Sequence, residues 1–180
     1  EEALNLASLN PQYGEIWIIF DRDQVQNFDE IISEAITKGI NIGWTNPCIE
    51  EWFSAYFGAM PTYANSVSCC NGFEQIFERN AHQKYVKSDL AIYEKLNRFG
   101  NEEKAIRIAT QKMHDHRIQG KYKPSEQIPG TTVHLLVDEI KSKINQKEKS
   151  IWQNKITVFL QFPKKIGGQL EKNSNHHFLQ

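Results

Sequence analysis

Two apolar runs, EIWIIF (15–20) and INIGW (40–44), flank one amphipathic stretch, FDEIISEAITKG (28–39), and this spacing constrains the fold most. The first run is β-branched and aromatic without polar interruption, the pattern of a strand covered on both faces. Between the runs, Phe28, Ile31, Ile32, Ala35 and Ile36 recur at helical spacing, and Gly39 stands where a helix stops. Strand, helix and strand in so short a span leave few solutions. The helix returns over the sheet by a right-handed crossover, and the two strands lie parallel. An α/β fold follows, with a mostly parallel sheet flanked by helices.

Downstream, CIEEWFSAYFG (48–58) is helical in pattern, with Pro47 as its first helical residue and Asn46 as its cap. Residues 59–73 lose periodicity in a mixture of Pro, Asn, Ser and Gly and read as a loop or mobile segment. Helical patterns return at 73–97 and 101–117. A further apolar stripe, Val133, Leu136, Val137, Ile140 and Ile144, has Thr131 or Thr132 before it as cap. The C-terminal part is therefore mainly helical, except for a strand expected at KITVFLQF (155–162). Leu4 and Leu6 to Leu9 suit a short helix ended by Asn10-Pro11. The chain starts without methionine, and a segment upstream is expected. One domain is placed at 1–144, with 145–180 a partly flexible extension.

Composition excludes some roles. A formal net charge of −1 provides no global basic field, so contact with nucleic acid needs a local patch. The three cysteines form no C-x-x-C pair, which suits reduced thiols in a cytoplasmic protein. No apolar run reaches the roughly 20 residues that span a bilayer, so no membrane contact is expected. A glycine-rich phosphate loop is absent, which argues against an ATPase acting alone.

The candidate chemistry begins at Asp21 and Asp23, directly after the first strand. At a period of two, both carboxylates leave one side if the strand continues, at the end of the sheet where α/β ligands bind. Carboxylate oxygens suit Mg²⁺, although aspartates are also common in strand-exit turns. With Asn46 as cap, a capping-box glutamate would fall at Ile49, so capping does not account for Glu50. Glu50 can approach the aspartates across the strand ends, or simply favour the helix dipole as a solvated first-turn residue. Lys87 suits a phosphate contact or a plain surface charge, and His134, on the polar side of its helix with Asp138, a proton carrier or a surface histidine. His114 and His116, two apart on a helix, cannot readily share an ion. Trp52, Phe53, Tyr56 and Phe57 read as core rather than as a base-stacking platform.

Taken in order, EIWIIFDRDQ (15–24), INIGWTNPCIEEWF (40–53), YVKSD (85–89) and PGTTVHLLVDEI (129–140) resemble the blocks of the RloB-like family. These bacterial phage-defence proteins include the second component of the AbiL abortive-infection system. The resemblance covers residues 1 to about 144, and Asn46-Pro47-Cys48 is its most distinctive part. It implies a Toprim-type fold, in which a glutamate and a D-x-D pair use Mg²⁺ or Mn²⁺ for phosphodiester chemistry. Carried across, Asp21 and Asp23 match the D-x-D and Glu50 the glutamate of the Asn-Pro-Cys block, while Tyr85, Lys87, Thr132 and His134 match later positions. The family's N-terminal glutamate strand has no counterpart here, Ile49 replaces the usual Phe, Tyr56 a frequent His, and IPGTT departs from NPSTT. The implied activity is a metal-dependent nuclease subunit acting on DNA or RNA, with a partner ATPase or a homo-oligomer as further expectations. The alternative is a non-catalytic module that senses nucleic acid or docks on the ATPase.

Overall fold

A computed structural model describes residues 15–23 and 25–161, with 148–161 described by backbone alone. Strand β1 (Trp17–Asp21), helix α1 (Phe28–Thr37) and strand β2 (Asn41–Asn46) form the expected opening unit. β1 and β2 pair in parallel, Trp17 opposite Asn41 through Asp21 opposite Thr45. Gly39, at φ +73°, ends α1 in the left-handed region that a side chain would resist. Helices α2 (Glu50–Ala55), α3 (Ser66–Ala81), α4 (Ile92–Phe99) and α5 (Glu102–Ile118) follow, then a 3₁₀ turn at Pro124–Glu126. A short strand β3 (Gly130–Thr131) precedes the long helix α6 (Val133–Gln161).

The sheet runs β1-β2-β3, and β3 is antiparallel to β2. The protein is thus mixed α/β, and of the two pairings among the described residues one is parallel and one antiparallel. Two residues are too few for a strand to reveal itself by periodicity. Gly130 makes that pairing possible, because a Cβ there would lie 2.5 Å from the Gln127 carbonyl oxygen and 3.1 Å from the Trp44 ring.

Apolar burial divides between the sheet and the helices. Phe28, Ile32, Ile40, Ile42, Trp44 and Met113 pack α1 and α5 against β2. Trp52, Tyr56, Phe73, Phe77 and Leu96 join α2, α3 and α4 in the other cluster. The aromatics of α2 are core, as their helical spacing implies: Trp52 and Tyr56 are buried, and the Phe53 ring meets Phe73 at 5.5 Å. By contrast, β1 is only partly covered, and Ile19 is 49% exposed. An unbroken apolar run therefore does not, in this case, mean burial on both faces.

Three other expectations change. Asn46 does not cap α2, which begins only at Glu50 with no side-chain cap. Instead, Asn46 ends β2, fully buried, and its Nδ2 donates to the Pro124 and Ser125 carbonyls at 3.0 and 3.3 Å. Asn46→Ala should cost about 1–3 kcal/mol in urea unfolding, the penalty for losing both bonds and leaving the half-buried Pro124 carbonyl without this donor, while Ser125 keeps Arg22. The segment read as a loop is helical from Ser66, because Asn65 and Ser68 form a reciprocal capping box that overrides the weak periodicity. The strand expected at 155–162 is helical over 155–161, and residue 162 lies outside the described residues, as do the helix expected at 4–9 and the tail.

The chain divides into two units, Glu1–Ile140 and Lys141–Gln180. Among the described residues, no helix is long and apolar enough to cross a membrane.

Candidate metal centre

The exits of β1 and β2 are tied together, and the tie builds the site. Arg22 N–H donates to the Thr45 carbonyl at 2.8 Å, and Asp23 N–H to the Pro47 carbonyl at 3.0 Å. The chain leaving β1 is thereby laid along the Asn46-Pro47-Cys48 turn. Parallel pairing places both strand C-termini at one end, the position where open α/β sheets present ligand residues.

Asp21 is half-buried there, and the Thr45 hydroxyl donates to its Oδ1. Burial raises its pKa, hydrogen bonds from Thr45 and the Ile49 backbone oppose that rise, and the Glu50 charge adds to it. The Glu50 charge therefore reaches Asp21, as a smaller influence than burial and the two hydrogen bonds.

Glu50 opens α2 and is fully buried, not a solvated first-turn residue. Tyr85 Oη donates to Glu50 Oε1 at 2.9 Å, and Lys87 Nζ lies 3.6 Å from the same oxygen. Burial opposes ionisation of Glu50. Even so, the Cys48 thiol, its own backbone N–H, Tyr85 and Lys87 together hold its pKa below the usual carboxylate value. Glu50 is thus a buried carboxylate kept charged. Its Oε2 has no hydrogen-bond partner, an unusual state for a buried anion.

Asp23 sits differently. The strand ends at Asp21, and Asp23 occupies a turn at φ +34°, so the two carboxylates are not aligned by strand geometry. Exposed, it accepts from Ser66 Oγ at 2.7 Å and lines a cavity of about 440 Å³ with Arg22, Asn46, Tyr63 and Asn65.

His134 lies on a buried face of α6 rather than a polar one, at 4% exposure. Burial holds its pKa below the ordinary imidazole value, against the pull of Asp138, and its Nδ1 has no partner. It shares no hydrogen bond or ion pair with Asp21, Asp23, Glu50 or Lys87. Thr132 is a structural stitch, its Oγ1 accepting from Trp44 N–H at 2.9 Å and donating to the Ile42 carbonyl at 3.0 Å. The structure therefore joins Asp21, Glu50 and Lys87 with Tyr85, keeps Asp23 at the rim, and sets His134 apart.

Sequence spacing did not reveal the thiols around Glu50. Cys48 and Cys70 place their sulfurs within 4.8 Å of each other and of a Glu50 carboxylate oxygen. Burial is the main force raising the Cys70 thiol to about 12. Nor did spacing reveal that Glu51 is fully buried, its Oε1 accepting from the Cys69 thiol at 3.6 Å and its Oε2 unpartnered. Only the adjacency of two glutamates in an otherwise aromatic helix hinted at this.

A family model described as RloB-like protein matches residues 1–140. No curated protein and no solved structure shows significant similarity to the chain.

Proposed function

The chain belongs to the RloB-like protein family, and from that premise we propose that it is a Mg²⁺- or Mn²⁺-dependent nuclease subunit of a phage-defence system. In this reading the mixed α/β fold is a Toprim-type domain, and the substrate is a DNA or RNA phosphodiester. The observation that carries it is the unpartnered, fully buried Oε2 of Glu50, a carboxylate kept ionised whose charge is felt at Asp21 at the strand ends. A buried anionic oxygen without a donor is suited to a cation.

In donor type the residues suit the ion, with Asp23 at the rim and bonded to Ser66. Asp21, Asp23 and Glu50 would hold it, all through carboxylate oxygens of the kind hard cations select. When bound, the ion supplies activation of water and neutralisation of phosphate charge. The chain's own residues do the rest. Tyr85 and Lys87 orient Glu50, and Lys87, largely exposed, can turn from Glu50 to a phosphate oxygen. His134 stays in the reading as a proton carrier by family resemblance alone, since it is buried and bonded to none of these residues. A partner ATPase and a second copy of the chain remain part of the proposal by family resemblance.

Cleavage of plasmid DNA and of single-stranded RNA with Mn²⁺ tests this reading. The Asp21→Ala/Asp23→Ala double variant should lose the activity of the unaltered chain. Cleavage that persists with unchanged Mn²⁺ affinity would refute it. One observation favours a second reading, a binding module with a vestigial site: Asp23 is already committed to Ser66, and its turn breaks alignment with Asp21. Calorimetric titration distinguishes the two, since a vestigial site takes up no Mn²⁺.

A further inference from the structure

The chain's three cysteines lie at Glu50 and Glu51, although Cys48 comes from a different element than the adjacent pair Cys69 and Cys70. Cys48 lies in the turn after β2, and Cys69 and Cys70 in the second turn of α3. Cys48 Sγ, Cys70 Sγ and a Glu50 carboxylate oxygen all lie within 4.8 Å of one another. Cys48 and Glu50 are buried, while Cys70 is only half-buried and gives access from solvent. The Cys69 thiol donates to the Glu51 carboxylate, whereas the Cys48 thiol makes a longer bond, 3.8 Å, to the Ser66 carbonyl, which it gives up on losing its proton.

The geometry points to a second metal site, Cys48, Cys70 and Glu50, that takes a thiophilic divalent cation of the Zn²⁺ class. Two sulfurs and one carboxylate oxygen are a borderline-soft donor set, which Zn²⁺ accepts and Mg²⁺ does not. Tetrahedral Zn²⁺, with bonds of about 2.3 Å to sulfur and about 2.1 Å to oxygen, needs donors roughly 3.5–3.8 Å apart. From a spacing of at most 4.8 Å, this closure takes about 1 Å, within reach of a rotation of the half-buried Cys70. The unpartnered Glu50 Oε2 is the second observation that calls for a ligand at this place. Three protein donors leave the fourth position open, the arrangement of an exchangeable rather than a closed structural site. Charge and protons balance: the ion enters as Zn²⁺, two thiol protons leave to solvent, and the already ionised Glu50 contributes its charge. The site's existence does not depend on nuclease activity. One consequence rests on the proposed function: Glu50 cannot serve both ions freely, so Zn²⁺ would compete with Mn²⁺ and inhibit cleavage.

Co²⁺ is the probe, added to the full chain after chelation and reduction and followed by thiolate-to-cobalt charge transfer in the near ultraviolet. One equivalent should produce the band, and Zn²⁺ should displace it. Cys48→Ser and Cys70→Ser should each abolish it and weaken Zn²⁺ by more than about 100-fold, since loss of even an outer partner of a metal ligand costs 10–100-fold. Cys69→Ala and Asp21→Asn should retain it. Should Cys48→Ser fail to fold, maleimide labelling of the unaltered chain substitutes, with Zn²⁺ slowing reaction at Cys70 at least about tenfold. Absence of a band, a band that survives Cys70→Ser, or one that requires Cys69 overturns the assignment. Failure of the nuclease reading looks different, as loss of Mn²⁺ uptake with the cobalt band intact.

Discussion

Asp21→Asn should weaken Mn²⁺ binding by at least about 100-fold while leaving the fold no less stable. Outer partners of metal ligands already cost 10–100-fold when removed, and a direct ligand costs no less. The stability half of the result follows from the sign of the pKa shift. Burial raises the Asp21 pKa, and the Glu50 charge raises it further against the hydrogen bonds from Thr45 and Ile49. The folded protein therefore disfavours ionised Asp21. Stability is fullest below the ordinary carboxylate value and falls as pH rises through it to the raised value. Asparagine removes this cost and keeps an Oδ1 to accept the Thr45 hydroxyl. Calorimetry with Mn²⁺ and thermal melts near neutral pH measure both halves. Unchanged Mn²⁺ affinity would sink the assignment of Asp21. A large drop in melting temperature would mark it as a structural residue. A residue that costs stability yet is required for a ligand is the usual sign of a working site.

Glu51→Gln should stabilise the protein by roughly 3 kcal/mol at pH 7 and by almost nothing at pH 4. Burial pushes the Glu51 carboxyl up to about 8, and the Cys69 thiol and the Lys112 charge only partly offset it. A raised carboxyl contributes fully below its unfolded value, and that contribution is lost as pH rises from the unfolded value to about 8. Glutamine has the same shape, accepts from Cys69, and carries no charge to desolvate. Urea unfolding from pH 4 to 9 checks this. The two stability curves should separate above the ordinary carboxylate range and become parallel past about pH 8. Curves that stay together throughout would show that Glu51 finds a cationic partner on ionisation.

Much of the framework could be read in the sequence because it depends on local pattern. The spacing of Phe28, Ile32 and Ala35, with Gly39 behind them, defines α1 whatever it packs against. The apolar runs before and after it define β1 and β2 to within two residues. Residues with long-range partners were not legible. Asn46 has the chemistry of a cap and the position of one, yet carbonyls at 124 and 125 compete for its amide and win. Ser66–Phe73 carries weak periodicity, and its helix is secured by capping at Asn65.

The candidate site divides in the same way. Sequence by itself determined that Asp21 ends a strand and that the chain's blocks follow RloB-like order. Those are properties of neighbours along the chain. The lack of a capping role for Glu50 comes from the structure, in which Glu50 is the first residue of α2. Only the tertiary structure decided that Glu50 is buried and ionised under Tyr85 and Lys87, that Asp23 turns to Ser66, that His134 is buried, and that Cys48 and Cys70 meet at Glu50. Each of these depends on which side chains removed from one another in sequence share a low-dielectric space. There the cost of desolvating a charge or a thiol is set by contacts that no spacing along the chain records.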